Sequence, residues 1–547
     1  MANFSRKEHL DRLTEREFDL LVIGGGITGA GIARDAAMRG LSVALVEARD
    51  FCSGTSSKSS KMLHGGIRYL EQFHLGLVFE ASQERRLHTD LLAPHLASAV
   101  PFLIPVYPWS PHGMMAISAG VFLYDTLALF RNHGTRVLGR EKALQEESRI
   151  EGKGLKGGVV YHDVVMDDAR IGFENVRSAA HHGAVTVNYV YVRGFEKDGT
   201  GKIRGVWVKD ATNSQKQDFL VKAKTYVNAS GPWCDYIRRL ASPELKSMLR
   251  PTKGTHIVLP NDRLGKKHAF VLTAKTDDRV FFSIPWFDRT LVGTTDTDYD
   301  PATDGPLEDI HATQNDVDYL MESVKRTFPG STVGESDIQS SFAGLRPLVS
   351  EGDANNPSAV SREHKIWQEP SGLFSIAGGK YTTYRVMAQQ MVDRVVKFLV
   401  QEGLVPDMNR RCVTHLEPIV LPPTMTEVKS FVRLMDEYSS ALDPQAVQHL
   451  QQRYGARWQR VADLAVQNPE LRERVISSEP DILAEVVYSR EFEMAVSFED
   501  FLRRRTMLAL KAPLAMQFER LQKAAKLFGG PAITAAQVAH WQGRDLK

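Results

Sequence analysis

Residues 18–47 read FDLLVIGGGITGAGIARDAAMRGLSVALVE. Phe18 to Ile23 is an apolar run of strand length, and Ala30 to Arg39 carries a helical pattern after the glycine-rich turn. Gly40 then punctuates the chain before a second strand, Leu41 to Val46, that ends at Glu47. Together these make a β-α-β unit whose right-handed crossover sets the two strands parallel and adjacent. In the spacing Gly24-x-Gly26-x-x-Gly29, the first glycine permits the tight turn, the second lets backbone approach a pyrophosphate, and the third lets helix and strand pack closely. The helix N-terminus adds N–H donors and partial positive charge for phosphates. Glu47 stands at the end of the second strand, where an adenosine ribose would be bound. A lone glycine-rich turn would be weak; strand, helix and terminal acid together predict an adenosine dinucleotide, NAD or FAD alike.

The unit is a small part of a chain of 547 residues, which at roughly 150 residues per domain predicts about two to four structural units. Hydrophobic residues at 43% and charged residues at 24% fit an enzyme that is soluble or peripheral to a membrane. The net charge of +2 gives no nucleic-acid footprint, so no nucleic-acid partner is expected. Cys52, Cys234 and Cys412 are odd in number and widely spaced, which favours neither a disulfide framework nor a metal site. Met1 to Glu17 is charged throughout, unlike a secretory signal, so a cytoplasmic location is expected. No apolar run reaches the eighteen or so residues of a spanning helix. Leu96 to Tyr124 lacks Asp, Glu, Lys and Arg, but Pro101, Pro105, Pro108 and Pro111 exclude a straight helix through its first half.

Strand-like runs at Val185 to Tyr191, Val206 to Lys209, Lys224 to Ala229 and Leu373 to Ala377 suggest that the nucleotide domain resumes after insertions, followed by a helical pattern from Thr382 to Val400. Residues 14–82, 161–250 and 341–404 are therefore assigned to a discontinuous nucleotide domain. Residues 83–160 and 251–340 go to a substrate domain that also carries a candidate membrane contact, and 410–547 to a helical cap. Ser497 with Asp500 looks like an N-cap within that cap.

Ala229-Ser230-Gly231 and Gly378-Gly379-Lys380 each end an apolar strand and offer close-approach points for a long cofactor. Thr55-Ser56-Ser57-Lys58-Ser59-Ser60-Lys61, just beyond Glu47, leads into His64-Gly65-Gly66-Ile67-Arg68-Tyr69 and is placed to run along the pyrophosphate and ring system. These segments, with VNASGPW, KGTHIVLP, IPWFDRTLVGTTD, AGLRPLV, AVSREHKI and IAGGKYTTYR, resemble the FAD-dependent glycerol-3-phosphate dehydrogenases of the respiratory, membrane-associated branch. The resemblance runs in order from about Asp19 to Arg385, and the C-terminal segments AEVVY and FLRRR look like the family's cap.

The resemblance implies an α/β fold: a Rossmann-like FAD-binding domain of glutathione-reductase/D-amino-acid-oxidase type, an α+β substrate domain and the helical cap. It implies FAD held by Gly24, Gly26, Gly29, Glu47, Thr55, Ser56, Ser57, Ser60, Gly65, Gly231, Gly378, Gly379, Lys380, Thr382 and Thr383. The implied reaction oxidises sn-glycerol 3-phosphate to dihydroxyacetone phosphate, with the C2 hydride passing to flavin N5. That chemistry needs a proton acceptor, positive charge beside the reduced ring, and cationic anchors for phosphate. Arg346 is expected at the substrate oxygen, Lys380 near the ring, and Arg362 and Tyr69 on the phosphate with a hydroxyl from Thr294 or Thr295; Arg68 is a further substrate candidate. His64 suits the base by its ordinary pKa, against a relay through an arginine-oriented hydroxyl or water.

Respiratory members of the family pass electrons to a membrane quinone and oxidase members to oxygen; the oxidases carry an inserted segment for which this chain shows no room. That favours the quinone and a peripheral site on the cytoplasmic face of the inner membrane. Leu96 to Tyr124, with Trp109, Met114, Met115, Val121, Phe122 and Leu123 ahead of Arg131, Arg136 and Arg140, reads equally as a lipid-facing wedge or as core. Arg503 to Arg505 reads as a solvated helix face before a surface contact. A peroxide-forming oxidase and a flavin-bearing scaffold without turnover are the rival readings, and a homodimer is the oligomer considered.

Overall fold

Along Phe18–Ile23, side chains alternate between two cores. Leu20 and Val22 pack with the helices Ile27–Met38 and Tyr384–Gln401, whereas Phe18, Leu21 and Ile23 face Val206, Val208 and Ile237. A strand buried on both faces must lie inside a sheet covered on both sides. In the computed structural model, which describes residues 4–70, 73–264, 267–274, 279–350, 363–407, 411–422 and 437–544, that sheet has six strands. Their order is His364–Gln368, Leu373–Gly378, Ala223–Asn228, Phe18–Ile23, Val43–Val46 and Val185–Val187. All pairs are parallel except the first, an antiparallel edge. The strands on either side of the glycine turn are in register, Leu20 with Val43 and Ile23 with Val46, as the β-α-β reading requires.

A second sheet of ten strands carries the other wall of the molecule. Its longest pairing joins Leu249–Pro260 to Ser340–Val349 across ten consecutive residue pairs, Leu249 with Val349 through Val258 with Ser340. Two sequence assignments shift. The strand Gly157–Met166 pairs with Ala97–Val106 in this second sheet, so the crossover to the nucleotide sheet comes after Met166, and Met62–Leu63 also joins the second sheet. The run around Val206 belongs to a separate three-stranded antiparallel sheet, Val190–Lys197, Ile203–Asp210 and Phe219–Val221, which covers one face of the nucleotide sheet. Apolar alternation predicted these strands but could not say which neighbour each would pair with.

The charge-free segment divides. Ala97–Val106 is a strand of the second sheet, while Met114–Leu127 is a helix that buries Val121 and Tyr124 and exposes Met115 (88%) and Phe122 (62%). Trp109, Leu129 and Phe130, which flank it in sequence, are also exposed, and the Phe130 ring lies 5.8 Å from that of Phe122. No helix among the described residues is long and apolar enough to cross a membrane.

From Pro444 onward the chain is helical and has its own core, in which Tyr454, Trp458, Phe501 and Trp541 are buried. Ser497 closes a capping box with Asp500: its hydroxyl accepts from the Asp500 N–H at 3.2 Å, and the Asp500 carboxylate accepts from Ser497 N–H at 2.9 Å. The expectation of a solvated face at Arg503 to Arg505 is corrected, because Arg504 and Arg505 are buried against Asp50 of the nucleotide domain.

The segment after Glu47 is pinned by a buried ion pair. Lys61 donates to Asp168 at 2.7 Å and to the Ser57 carbonyl at 2.6 Å, and both charged side chains are fully buried. Removing one partner strands the other charge away from water. Asp168→Asn is expected to lower unfolding free energy by about 3–5 kcal/mol in urea titrations, whereas Glu473→Gln, at the exposed Lys523 pair, leaves the midpoint unchanged.

Candidate active site

Gly24 sits at φ +109, and a Cβ there would lie 2.6 Å from the Ala229 carbonyl oxygen, so the turn requires glycine. A side chain at Gly29 would run into the Gly24 carbonyl, so this glycine serves close packing of helix on strand. The helix that follows has no acidic residue in its first turn to offset its positive end, and Ile27 N–H donates to the Ser56 hydroxyl at 2.9 Å. Glu47 accepts from Gly25 N–H at 2.6 Å, and burial raises its carboxyl above the ordinary range.

From this cradle a cavity of about 1210 Å³ extends to the second sheet. Its walls include Gly24, Gly26, Glu47, Thr55, Ser56, Ser60, His64, Tyr69, Gly231, Thr294, Arg346, Gly378, Gly379, Lys380 and Thr382, so most of the residues singled out from sequence meet in one space. Others do not line it. Gly65 is hemmed in by Tyr124 and Ser82 and donates to Asp163; Ser57 gives its carbonyl to Lys61; Thr383 is buried. Thr295 is buried too, its hydroxyl accepting from Thr255 N–H at 3.0 Å, which leaves Thr294 as the threonine at the cavity. Arg362 and the side chain of Arg68 lie outside what is described.

The far wall is built by strand register. Thr252 opposes Arg346, Gly254 opposes Gly344, and His256 opposes Phe342, so these six share one face of the paired strands. The two facing glycines leave a notch. A Cβ on Gly254 would meet Thr294 Oγ1 at 2.5 Å and crowd the Arg346 guanidinium, and one on Gly344 would meet Lys58 Cβ at 2.8 Å. Into that notch Arg346 extends, donating to Asp296 at 2.9 Å, to the Thr294 hydroxyl at 2.9 Å and to the Thr295 carbonyl at 3.2 Å. A planar guanidinium held at both terminal nitrogens keeps a fixed direction. The Lys380 ammonium lies 3.5 Å from the centre of the Tyr69 ring.

Two residues to which the sequence alone assigns no individual role belong to this wall. His256 is buried, stacks on Phe342 at 4.8 Å, and has Nε2 2.9 Å from the Ser60 hydroxyl. Burial, then the charges of Arg346 and Lys61, push its pKa well below the ordinary value, so the ring is neutral. Lys58 also lines the cavity, and burial with the nearby charges of Arg503, Arg504 and Arg49 pushes it down to about 7. The available signal for His256 was its two-residue step from Gly254, which puts both on one strand face.

His64 lines the cavity, and its peptide brackets the Thr382 hydroxyl, which accepts from His64 N–H at 3.1 Å and donates to His64 O at 3.2 Å. The helix expected to begin at Thr382 starts at Tyr384 after a single tight turn, Tyr381–Thr383. Among the described residues, one group offers three metal-competent ligand atoms, His449, Asp481 and Glu485 in the helical domain. Lys511 already donates to Asp481 at 2.8 Å and Tyr454 to Glu485 at 3.0 Å.

A glycine cradle, a buried acid at the end of the second strand and a continuous cavity that ends on oriented cations fit a dinucleotide carrying a redox ring. The family described as FAD dependent oxidoreductase matches residues 19–393, and that described as the C-terminal domain of alpha-glycerophosphate oxidase matches residues 412–530. The protein is thus an FAD-dependent oxidoreductase, and its cofactor is FAD. Glycerol-3-phosphate dehydrogenase 2 of Mycobacterium tuberculosis is 38% identical over 92% of this chain and 83% of its own length. Aerobic glycerol-3-phosphate dehydrogenase of Staphylococcus aureus is 36% identical over 92% of this chain and 89% of its own. The crystal structure of glycerol-3-phosphate dehydrogenase from Bacillus halodurans complexed with FAD is 31% identical, with a TM-score of 0.76 over 100% of this chain and 97% of that one. The chain belongs to the FAD-dependent glycerol-3-phosphate dehydrogenase family.

Because folded His256 refuses a proton that the unfolded chain accepts near pH 6.5, its contribution to stability is present above that pH and lost as pH falls below it. Between pH 7.5 and 5.5 the FAD-free protein is expected to lose thermal stability, and His256→Asn to lose less. Equal slopes of melting temperature against pH would show that His256 is not held neutral.

Proposed function

We propose that the protein oxidises sn-glycerol 3-phosphate to dihydroxyacetone phosphate and passes the electrons to a membrane quinone. The observation that carries the substrate assignment is Arg346, a cation held in direction by Asp296 and Thr294 within the cavity that the FAD cradle opens into. The names of the Mycobacterium and Staphylococcus relatives support the same substrate. When bound, FAD supplies a two-electron acceptor that takes the C2 hydride at N5.

This chain's residues do the rest. Arg346 binds the C2 oxygen and lowers the cost of its losing a proton, since a fixed guanidinium stabilises negative charge as it develops. His64, which lines the same cavity, is assigned as the acceptor of that proton, while His256 stays neutral beside Arg346 with its Nε2 bonded to the Ser60 hydroxyl. Tyr69, Thr294 and Arg362 are assigned to the phosphate end, and Lys380 to the positive charge that a reduced ring requires.

Support for the quinone comes from the helix Met114–Leu127. Its exposed Met115 and Phe122, with Trp109, Leu129 and Phe130 nearby and exposed Arg131 and Arg140 beyond, form an apolar surface edged by cations. Such a surface suits insertion into the headgroup layer of an anionic membrane, where a quinone is reached.

Anaerobic mixing of the holoenzyme with glycerol 3-phosphate is expected to bleach the flavin, and a quinone analogue to restore it much faster than air does. Rapid recovery in oxygen with stoichiometric peroxide would instead make the protein an oxidase, and failure to bleach would remove the substrate assignment. Met115→Ser with Phe122→Ser is expected to weaken cosedimentation with anionic vesicles by about tenfold or more, given ~1.5–3 kcal/mol for burying each side chain. Bleaching by substrate stays unchanged in that variant.

A further inference from the structure

Residues 48–60 form one side of the cofactor cavity, contributing Arg49, Ser53, Thr55, Ser56 and Lys58. They contain only one short helical turn, Thr55–Ser57, so their shape must be fixed from outside. Cys52 stands at φ +62 in the left-handed region, and its N–H donates to the Gly25 carbonyl at 3.0 Å. A non-glycine residue persists there only where neighbours determine the backbone around it.

Two residues earlier, Asp50 is fully buried and supplies the anchor. Its carboxylate accepts from Arg504 Nε at 2.6 Å, from Arg505 Nη1 and Nη2 at 2.8 and 2.9 Å, and from Asn188 Nδ2 at 3.0 Å. The arginine charges hold it below the usual carboxylate range. Both arginines come from the wide turn Phe501–Arg505 of the C-terminal helical domain, directly after the Ser497 capping box. Arg505 is itself fully buried, 4.3 Å from the centre of the Phe173 ring, and donates also to the Glu493 carbonyl at 2.9 Å. A second tie runs through Tyr189, whose hydroxyl donates to Asp500 at 2.9 Å and whose N–H donates to the Arg49 carbonyl at 2.8 Å. The helical domain therefore grips the cofactor segment at Arg49 and at Asp50.

We propose that the C-terminal helical domain is part of the FAD-holding machinery, with Arg504 and Arg505 acting through Asp50 as positioning residues for segment 48–60. The same domain meets the second sheet elsewhere, where Arg289 donates to Glu479 at 2.8 Å and to the Lys511 carbonyl at 2.7 Å, away from the cofactor segment. That contact separates positioning of the segment from mere docking of the domain.

The test uses purified holoenzymes of Arg505→Lys, Arg504→Gln and Arg289→Gln. FAD release after dilution is followed by the rise in flavin fluorescence, with the visible circular dichroism of the bound flavin recorded beforehand. A lysine cannot make the two-pronged contact with Asp50. Release is expected to be at least tenfold faster in Arg505→Lys and Arg504→Gln, with an altered flavin dichroism, while Arg289→Gln releases FAD at the parent rate. Should Arg505→Lys not accumulate as folded protein, Arg504→Gln decides alone. Release and dichroism within twofold of the parent in the Asp50-contacting variants would overturn the proposal, and so would equal acceleration in Arg289→Gln.

Discussion

Backbone must approach backbone with nothing between for this cavity to exist, and two pairs of facing segments meet that constraint. On one side, Gly24 lies against Ala229 where two parallel strands end. On the other, Gly254 and Gly344 face each other across antiparallel strands and leave the notch that Arg346 fills. The first opening forms the glycine cradle, and the second sets a guanidinium and a neutral imidazole in the same cavity. Neither sheet alone would make a site: one supplies the cradle and the other the charged wall.

The segment from Glu47 to Lys61 closes the gap between those sheets, and its shape depends on ionic contacts out of reach of water. Lys61 with Asp168 fixes its far end, and Asp50 with Arg504 and Arg505 fixes its near end. Buried charges of this kind contribute little net stability compared with apolar packing, but they are costly to leave half-made, which favours one arrangement of the segment over its alternatives. The cavity is correspondingly rich in cations, with Arg49, Lys58, Arg279, Arg346 and Lys380 on its walls, as suits a cofactor that carries a pyrophosphate.

Features set by neighbours in sequence were legible in the chain. The cradle depends on glycine spacing between a strand and a helix, and the Ser497 cap on a three-residue step; both are local, and both stand in the structure. Features set by distant pairing were not. Asp50 and Arg505 lie 455 residues apart, and nothing in the run of three arginines says that two of them turn inward. His256 sits in a strand whose apolar content reads as core, and only pairing with Ser340–Val349 sets it on one face with Arg346. Thr294 and Thr295 look interchangeable in sequence, yet just beyond the strand Arg289–Gly293 one hydroxyl meets Arg346 at the cavity wall and the other the Thr255 peptide. The charge-free segment was ambiguous because a buried strand and an exposed apolar helix share its composition, and it contains both.

The central claim is that the glycine notch, by fixing the direction of Arg346, makes the FAD cavity reactive toward a phosphorylated alcohol. Gly254→Ala tests it with a single methyl group placed against the Arg346 guanidinium and Thr294. The measurement is the rate of anaerobic flavin bleaching by glycerol 3-phosphate in the FAD-loaded variant, with FAD content determined in the same preparation. The account predicts full FAD content and a rate lowered by about a hundredfold, the loss expected when a catalytic group is displaced by about 1 Å. Bleaching at the parent rate with FAD in place would contradict it.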